Sequence, residues 1–237
     1  CLYHDVGYVY ENTNCCKELR MTQTDGLDAI RNICNIQYLN NREFITYNKQ
    51  CVNTYLVHRA ACSNGKIGKL DHGIIGGLLL YDRLRKNFEK AWNQVCCENE
   101  SKESFIYNGL HFSKKHYKYY EIAADAIISH NIWVDSLKEY LKSENEQNIE
   151  IRKIKSDNQI AFILALADTI EPIKKYGIFA LDKIYYAEDE IEKGFKIYMP
   201  DMEDGKMYKY ISDMGNWIDV EVMESPKNTF SISKKEN

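Results

Sequence analysis

Proline is scarce in this 237-residue chain, at three residues, and glycine is held to twelve, which excludes collagen-like, low-complexity and disordered classes. Long hydrophobic runs are missing as well. The longest uncharged apolar stretch, Gly73 to Tyr81, is far short of the roughly 20 residues a membrane helix needs. There is no surplus of positive charge: 31 basic against 35 acidic residues leave a formal charge of −4 with histidine neutral. No Lys/Arg block supplies the field that duplex nucleic acid demands. Eight cysteines are present, but none are spaced Cys-x-x-Cys, and the adjacent pairs Cys15-Cys16 and Cys96-Cys97 fit free thiols better than a zinc, redox or disulfide framework. With no secretory leader in the sequence, the expected compartment is the cytoplasm.

What remains is 44% hydrophobic residues, arranged mainly with helical period. From Asp71 to Cys97, Ile74, Ile75, Leu78, Leu79, Leu84, Phe88 and Trp92 recur at steps of three and four, with Asp82, Arg83, Arg85, Lys86 and Glu89 covering much of the rest. A second helix is expected from about Lys115 to Trp133, with Tyr119, Ile122, Ala123, Ala126, Ile127 and His130 on nearly one face. The stretch from about Asp157 to Ile170 is almost wholly apolar between Ile160 and Ala167 and reads as the central buried helix, stopped by Pro172. Residues 11 to 53 read as helical in pieces, and Asn99 to Ser104 and Lys142 to Asn148 as exposed connections. After Gly177 the texture changes. Ile178 to Ile184, Gly194 to Met199, Met207 to Ile211 and Trp217 to Val222 are short β-branched or aromatic stretches separated by turn formers. The expected fold class is therefore mainly α, with a helical domain over 1–177 and a small α+β, β-rich appendage over 178–237.

Chemistry is sought where polar groups fall on apolar faces, because burying an unpartnered carboxylate costs several kcal/mol or forces it neutral. Asp168 follows Leu164 by four and Ala165 by three, so it shares their face and calls for a cation there. His130 follows Ala126 by four and Ile127 by three and points inward by the same count. His72 opens its helix beside Gly73, Gly76 and Gly77, which leave room for another backbone or a ligand, and Asp71 before it is placed to cap that helix. The chain opens CLYHDVGY, with an adjacent His4-Asp5 pair. Imidazole nitrogen and carboxylate oxygen together are ligands for divalent metals. The ordered set His4-Asp5, His72, His130 and Asp168 thus points to separated helices converging on one metal site.

These segments resemble the HD-domain superfamily of metal-dependent phosphohydrolases, an all-helical fold named for its His-Asp pair. LYHDVGY is similar to the signature helix, LDHGIIGGLLLYDRL to the next His-bearing helix of binuclear members, AADAIISHNIW to the one after it, and LALADTIEP to the closing Asp helix. The resemblance covers about residues 1–177 and implies an HD-type helical bundle with His4, Asp5, His72, His130 and Asp168 as metal ligands, Asp5 bridging two ions. The ions implied are divalent: Mn, Fe, Ni, Zn or, less well suited, Mg. The family carries a further histidine upstream of the pair, and the sequence begins only three residues before His4, so a longer native chain is the expected explanation; His58 is the one intervening substitute.

What the resemblance implies is hydrolysis of a phosphate ester, with a nucleotide as the expected substrate, by a water activated between two ions. Asp5 and Asp71 are the catalytic candidates, Asp71 and Glu171 acting by orienting ligands or bound water. SHNIWVD stands where cyclic-di-GMP phosphodiesterases have a different signature, and HDVGYVYE departs from the deoxynucleoside triphosphohydrolase continuation. His72 and His130 depart from the mononuclear type. His111 and His116, five apart and so on different faces if both are helical, form a basic aromatic patch with Lys114, Lys115 and Lys118 that reads first as a solvated helix start and otherwise as a phosphate contact. Two other readings stand beside the hydrolase: a non-catalytic nucleotide- or metal-binding sensor, and a helical interaction module whose β-rich tail recruits a partner or forms a homodimer.

Overall fold

A computed structural model describes residues 6–11, 26–38, 52, 56, 70–95, 103–130, 132, 158–170, 184–189, 194–199, 205–225 and 229–234. They fall into two units, one reaching to Ile132 and the other running from Asn158 to the C-terminal strands. The helix carrying Asp168 groups with the second unit, whereas the sequence pattern places the end of the first domain at residue 177. Helices and two small antiparallel sheets make the described residues mixed α+β, a coarser class than the mainly α bundle expected.

The first unit is organised by helix α3 (His72–Val95), preceded by the short α1 (Tyr8–Glu11) and α2 (Gly26–Ile33). The apolar stripe read from the sequence is buried at Ile74, Ile75, Leu78 and Phe88. Its first turn is capped by Asp71, whose Oδ1 accepts the Ile74 backbone N–H at 3.0 Å. Asp82, half way along, is buried but fully engaged. Its carboxylate takes the Lys86 ammonium at 2.6 Å and the backbone N–H groups of Gln37 and Tyr38 at 2.8 and 3.1 Å, tying the chain after α2 to α3. Helix α4 (His116–Ser129) packs along α3. Gly77 makes that approach possible: a Cβ there would stand 2.6 Å from the Ala124 carbonyl oxygen and 2.6 Å from Ile128 Cγ1.

Between α3 and α4 the chain forms a hairpin, β1 (Ser104–Tyr107) and β2 (Leu110–Ser113), rather than an exposed connection running into a helix. The cause lies in Asn108-Gly109, whose φ values of 48° and 75° are the pair of left-handed residues that a tight two-residue hairpin turn requires. Phe105 and Phe112, paired across the ladder and stacked at 5.2 Å, place the inner face of the hairpin on Phe88, Ala91 and Trp92.

In the second unit, α5 (Gln159–Ile170) starts at Asn158, whose side-chain oxygen accepts the Ala161 N–H at 3.4 Å. It is not the central buried helix expected. Ala161, Leu164, Ala165 and Thr169 are buried, but Ile160 and Ile163 on the opposite side are 53% and 63% exposed, so one face alone packs. The sheet has the order β3 (Tyr185–Asp189), β4 (Gly194–Tyr198), β6 (Thr229–Lys234), β5 (Val220–Ser225), all antiparallel. Interior strand β6 is buried on both faces, Phe230 and Ile232 on one and Ser231 and Ser233 on the other. Met207 to Ile211, expected among the strands, belongs instead to helix α6 (Gly205–Ser212), whose Tyr208 ring meets Phe230 at 5.0 Å. A short 3-10 turn at Met214–Asn216 leads on to β5, which starts three residues after Trp217. The Tyr186 hydroxyl on β3 donates to the Ile170 carbonyl at 2.8 Å, fastening the end of α5. No helix among the described residues is long and apolar enough to cross a membrane.

Candidate functional site

The first turns of α3 and the last turn of α4 bring His72 and His130 together. Both side chains are buried, at 5% and 3% exposure, as the apolar pattern requires for His130. Their ring centres are 5.7 Å apart at an interplanar angle of 71°. Gly73 creates the space: a Cβ on it would lie 2.8 Å from His130 Cε1, 2.9 Å from the Ile127 carbonyl oxygen and 3.1 Å from Asp71 Oδ1. The imidazole of His130 and the carboxylate of Asp71 therefore border the same hydrogen-sized gap.

His130 ends α4, and its Nδ1 is 2.6 Å from the Ile127 carbonyl oxygen. A carbonyl only accepts, so Nδ1 carries the proton and Nε2 the lone pair of the neutral ring. This is the arrangement that metal-ligating histidines use, the second ring nitrogen being bonded to a carbonyl or carboxylate that sets tautomer and orientation. Nε2 of both rings is buried and makes no hydrogen bond to a described residue. Both nitrogens are of the type that ligates a divalent ion, and the ring centres lie 5.7 Å apart. Among the described residues alone, no set of three or more His, Cys, Asp or Glu side chains forms a metal-holding group.

A third ring completes the arrangement. Tyr8, at the start of α1, stacks on His72 with centres 3.9 Å apart and planes within 13°. Gly7 permits it, because a side chain there would run into the His72 backbone carbonyl. Both lie in the LYHDVGY segment, two and three residues after the His-Asp pair, but nothing in the sequence assigned either a role. Asp125, buried on α4 five residues before His130, was also missed. An acidic residue inside the run AADAII is the same signal that singled out Asp168.

Asp71, His72 and His130 are thus brought together. Asp168 is partly buried on α5, four residues after buried Leu164, and belongs to the second unit. His4, Asp5, His58 and Glu171 lie outside the described residues. His111 and His116 correct the helical reading of their spacing: His111 stands on β2 and His116 opens α4, so their rings meet at 6.0 Å. The Ser113 N–H donates to His116 Nδ1 at 3.3 Å, and Lys114 extends its ammonium over Trp92 at 5.2 Å rather than into a phosphate-binding cluster.

Further along α3, Arg85 sits among aromatic rings, its guanidinium carbon 3.9 Å from the Tyr117 ring centre and 5.2 Å from that of Tyr38. It pairs with Glu89 at 3.3 Å, and the Tyr117 hydroxyl donates to the same carboxylate at 2.9 Å. Burial first, and then the bond to Glu89, push the Tyr117 phenol well above its ordinary value, with Arg85 opposing. The cluster is neutralised within itself. It reads as a structural lock of cation–π contacts. Cys34 is half-buried after α2, and the other seven cysteines lie outside the described residues. Comparisons of the chain with protein-family models, with curated proteins and with solved structures give no match.

Proposed function

We propose that the chain is a metal-dependent phosphohydrolase whose site is built around His72 and His130. The observation that carries this reading is the meeting of the two buried imidazoles across a glycine-lined helix seam, with Nδ1 of His130 committed to a backbone carbonyl. The donor set suits a divalent transition ion, held by His72 and His130 and, from the resemblance of the sequence, by His4, Asp5 and Asp168. Bound divalent ions supply an activated water at neutral pH and charge neutralisation at a phosphoryl oxygen.

The protein's own contribution is positional. The Ile127 carbonyl holds the His130 proton at Nδ1, leaving Nε2 as the donor nitrogen. Asp71 accepts the Ile74 N–H at Oδ1, which fixes its carboxylate beside Gly73, where it would orient a ligand or a bound water. The substrate class is a phosphate ester, with a nucleotide favoured. The role given to Asp168 is read from the sequence alone.

A second reading is supported by the place of His130 at the end of α4, where an imidazole bonded to a carbonyl of the last turn is also an ordinary helix cap. In that case the two histidines are core residues of a helical interaction module or of a non-catalytic sensor. Metal content separates these. Protein purified without added metal or chelator should carry about two transition-metal equivalents. His72→Ala, His130→Ala, Asp5→Ala and Asp168→Ala should each lose metal together with phosphate-ester hydrolysis. A wild type that is metal-free and takes up neither Mn nor Fe would sink the hydrolase reading and leave the interaction module.

A further inference from the structure

The structure assigns Tyr8 a positioning role at this site: its ring, laid flat against His72, fixes the plane of the imidazole. The inference rests on the metal-site reading above and adds the device that orients its first imidazole.

The torsion that turns a histidine ring is broad and roughly two-fold, so the rotamer alone does not hold the ring plane. His130 solves this with its Nδ1 bond to Ile127. His72 is braced by rings: Tyr8 lies parallel to it at 3.9 Å and His130 meets it nearly at right angles at 5.7 Å. Turning the His72 ring by a quarter would drive its edge into the phenol. The brace is itself anchored, because Gly7 brings the α1 backbone onto the His72 carbonyl, where any side chain would collide. Tyr8 is nonetheless 45% exposed, so shortening it removes the brace without opening a core cavity. Partners that orient metal ligands typically change affinity by about 10–100-fold when removed.

Three proteins decide the matter: wild type, Tyr8→Phe and Tyr8→Ala, each shown by circular dichroism to keep its helix content. Imidazole resonances are read in 15N-labelled, metal-free protein, and Mn2+ affinity is read by calorimetric titration. Tyr8→Phe should bind Mn2+ within about twofold of wild type, and Tyr8→Ala about 10–100-fold more weakly. In Tyr8→Ala the His72 ring signals should shift and broaden while those of His130 stay in place. If wild type binds Mn2+ and Tyr8→Ala binds it equally well with unchanged His72 signals, the positioning role is overturned and the metal site stands. If wild type takes up no Mn2+, the metal reading fails and the ligand-orienting role falls with it, whatever the His72 signals do.

Discussion

The two ends of α3 are built on opposite principles. Its last turns are filled: Phe88, 2% exposed, is ringed by Phe105, Phe112, Tyr117 and Trp92 at centre distances of 4.5 to 6.1 Å, and half-buried Arg85 has its carboxylate within the cluster. Its first turns bury Ile74, Ile75 and Leu78 but carry no side chain where α4 crosses. Glycine at positions 73 and 77 draws a second helix to backbone contact, and the groups that meet there are two imidazoles and a carboxylate. Aromatic packing of the first kind stabilises through buried area and ring contacts. A seam of the second kind trades side-chain contact at the crossing for close helix approach and polar groups.

The comparison breaks most sharply at Phe88. Phe88→Ala should cost about 3–5 kcal/mol of unfolding free energy, because the rings around it are held by two helices and a hairpin and cannot collapse into the gap. Chemical denaturation measures this. Near its midpoint, residual native protein should still show the His72 and His130 ring signals of wild type. If those signals change together with the core, the two ends are one cooperative feature and the division proposed here is wrong.

Gly77→Ala addresses the other end and should have a smaller effect on stability, about 1–3 kcal/mol, with a larger one on the site. The added methyl meets the Ala124 carbonyl and Ile128, backbone and packed side chain that cannot swing aside, so the helices must part by several tenths of an ångström. Since His130 lies further along α4, that parting widens the gap between the imidazoles. Mn2+ uptake should fall in this variant while Phe88→Ala retains it. Equal metal affinity in Gly77→Ala and wild type would show that the glycine seam is packing alone.

The same contrast explains what could be read from the sequence. Helices α3, α4 and α5 were legible within one to four residues, because apolar steps of three and four persist over several turns. His130 was legible as buried for the same reason, whereas His72 stood out only by the glycines beside it. The hairpin was legible in principle, since Asn108-Gly109 between SFIY and LHFS is a strong local turn signal, but the polar residues before it and the helix after it masked ladders of only four residues. Three things were not readable: that His111 and His116 meet, that Tyr8 lies on His72, and that α5 leaves Ile160 and Ile163 exposed. Each depends on which elements pack together, and periodicity within one element carries no information about its neighbour. Composition in the segment from Met207 misled for a related reason. Met, Tyr and Ile serve equally in a strand and on the buried side of a short helix, and here Tyr208, whose ring meets Phe230, and buried Ile211 share one helix face.

The finest distinction between the ends of α3 is in their response to alkali. Burial and the bond to Glu89 raise the Tyr117 phenol, and burial raises Tyr81 and Tyr120. Below the ordinary phenol value of about 10, folded and unfolded chains both keep these protons and the stabilisation is fully present. As pH rises through that value the unfolded chain ionises first, so it binds fewer protons than the folded one and stability falls until the folded phenols ionise as well. Tyr117→Phe removes one of the titrating groups. At neutral pH it should cost only about 0.5–1.5 kcal/mol, the net worth of the lost bond to Glu89. Between about pH 9 and 11 its thermal midpoint should then decline less steeply than that of wild type, by about 2–4 °C over the interval. Parallel declines in the two proteins would place the alkaline sensitivity outside the aromatic end of α3 and remove Tyr117 from its lock.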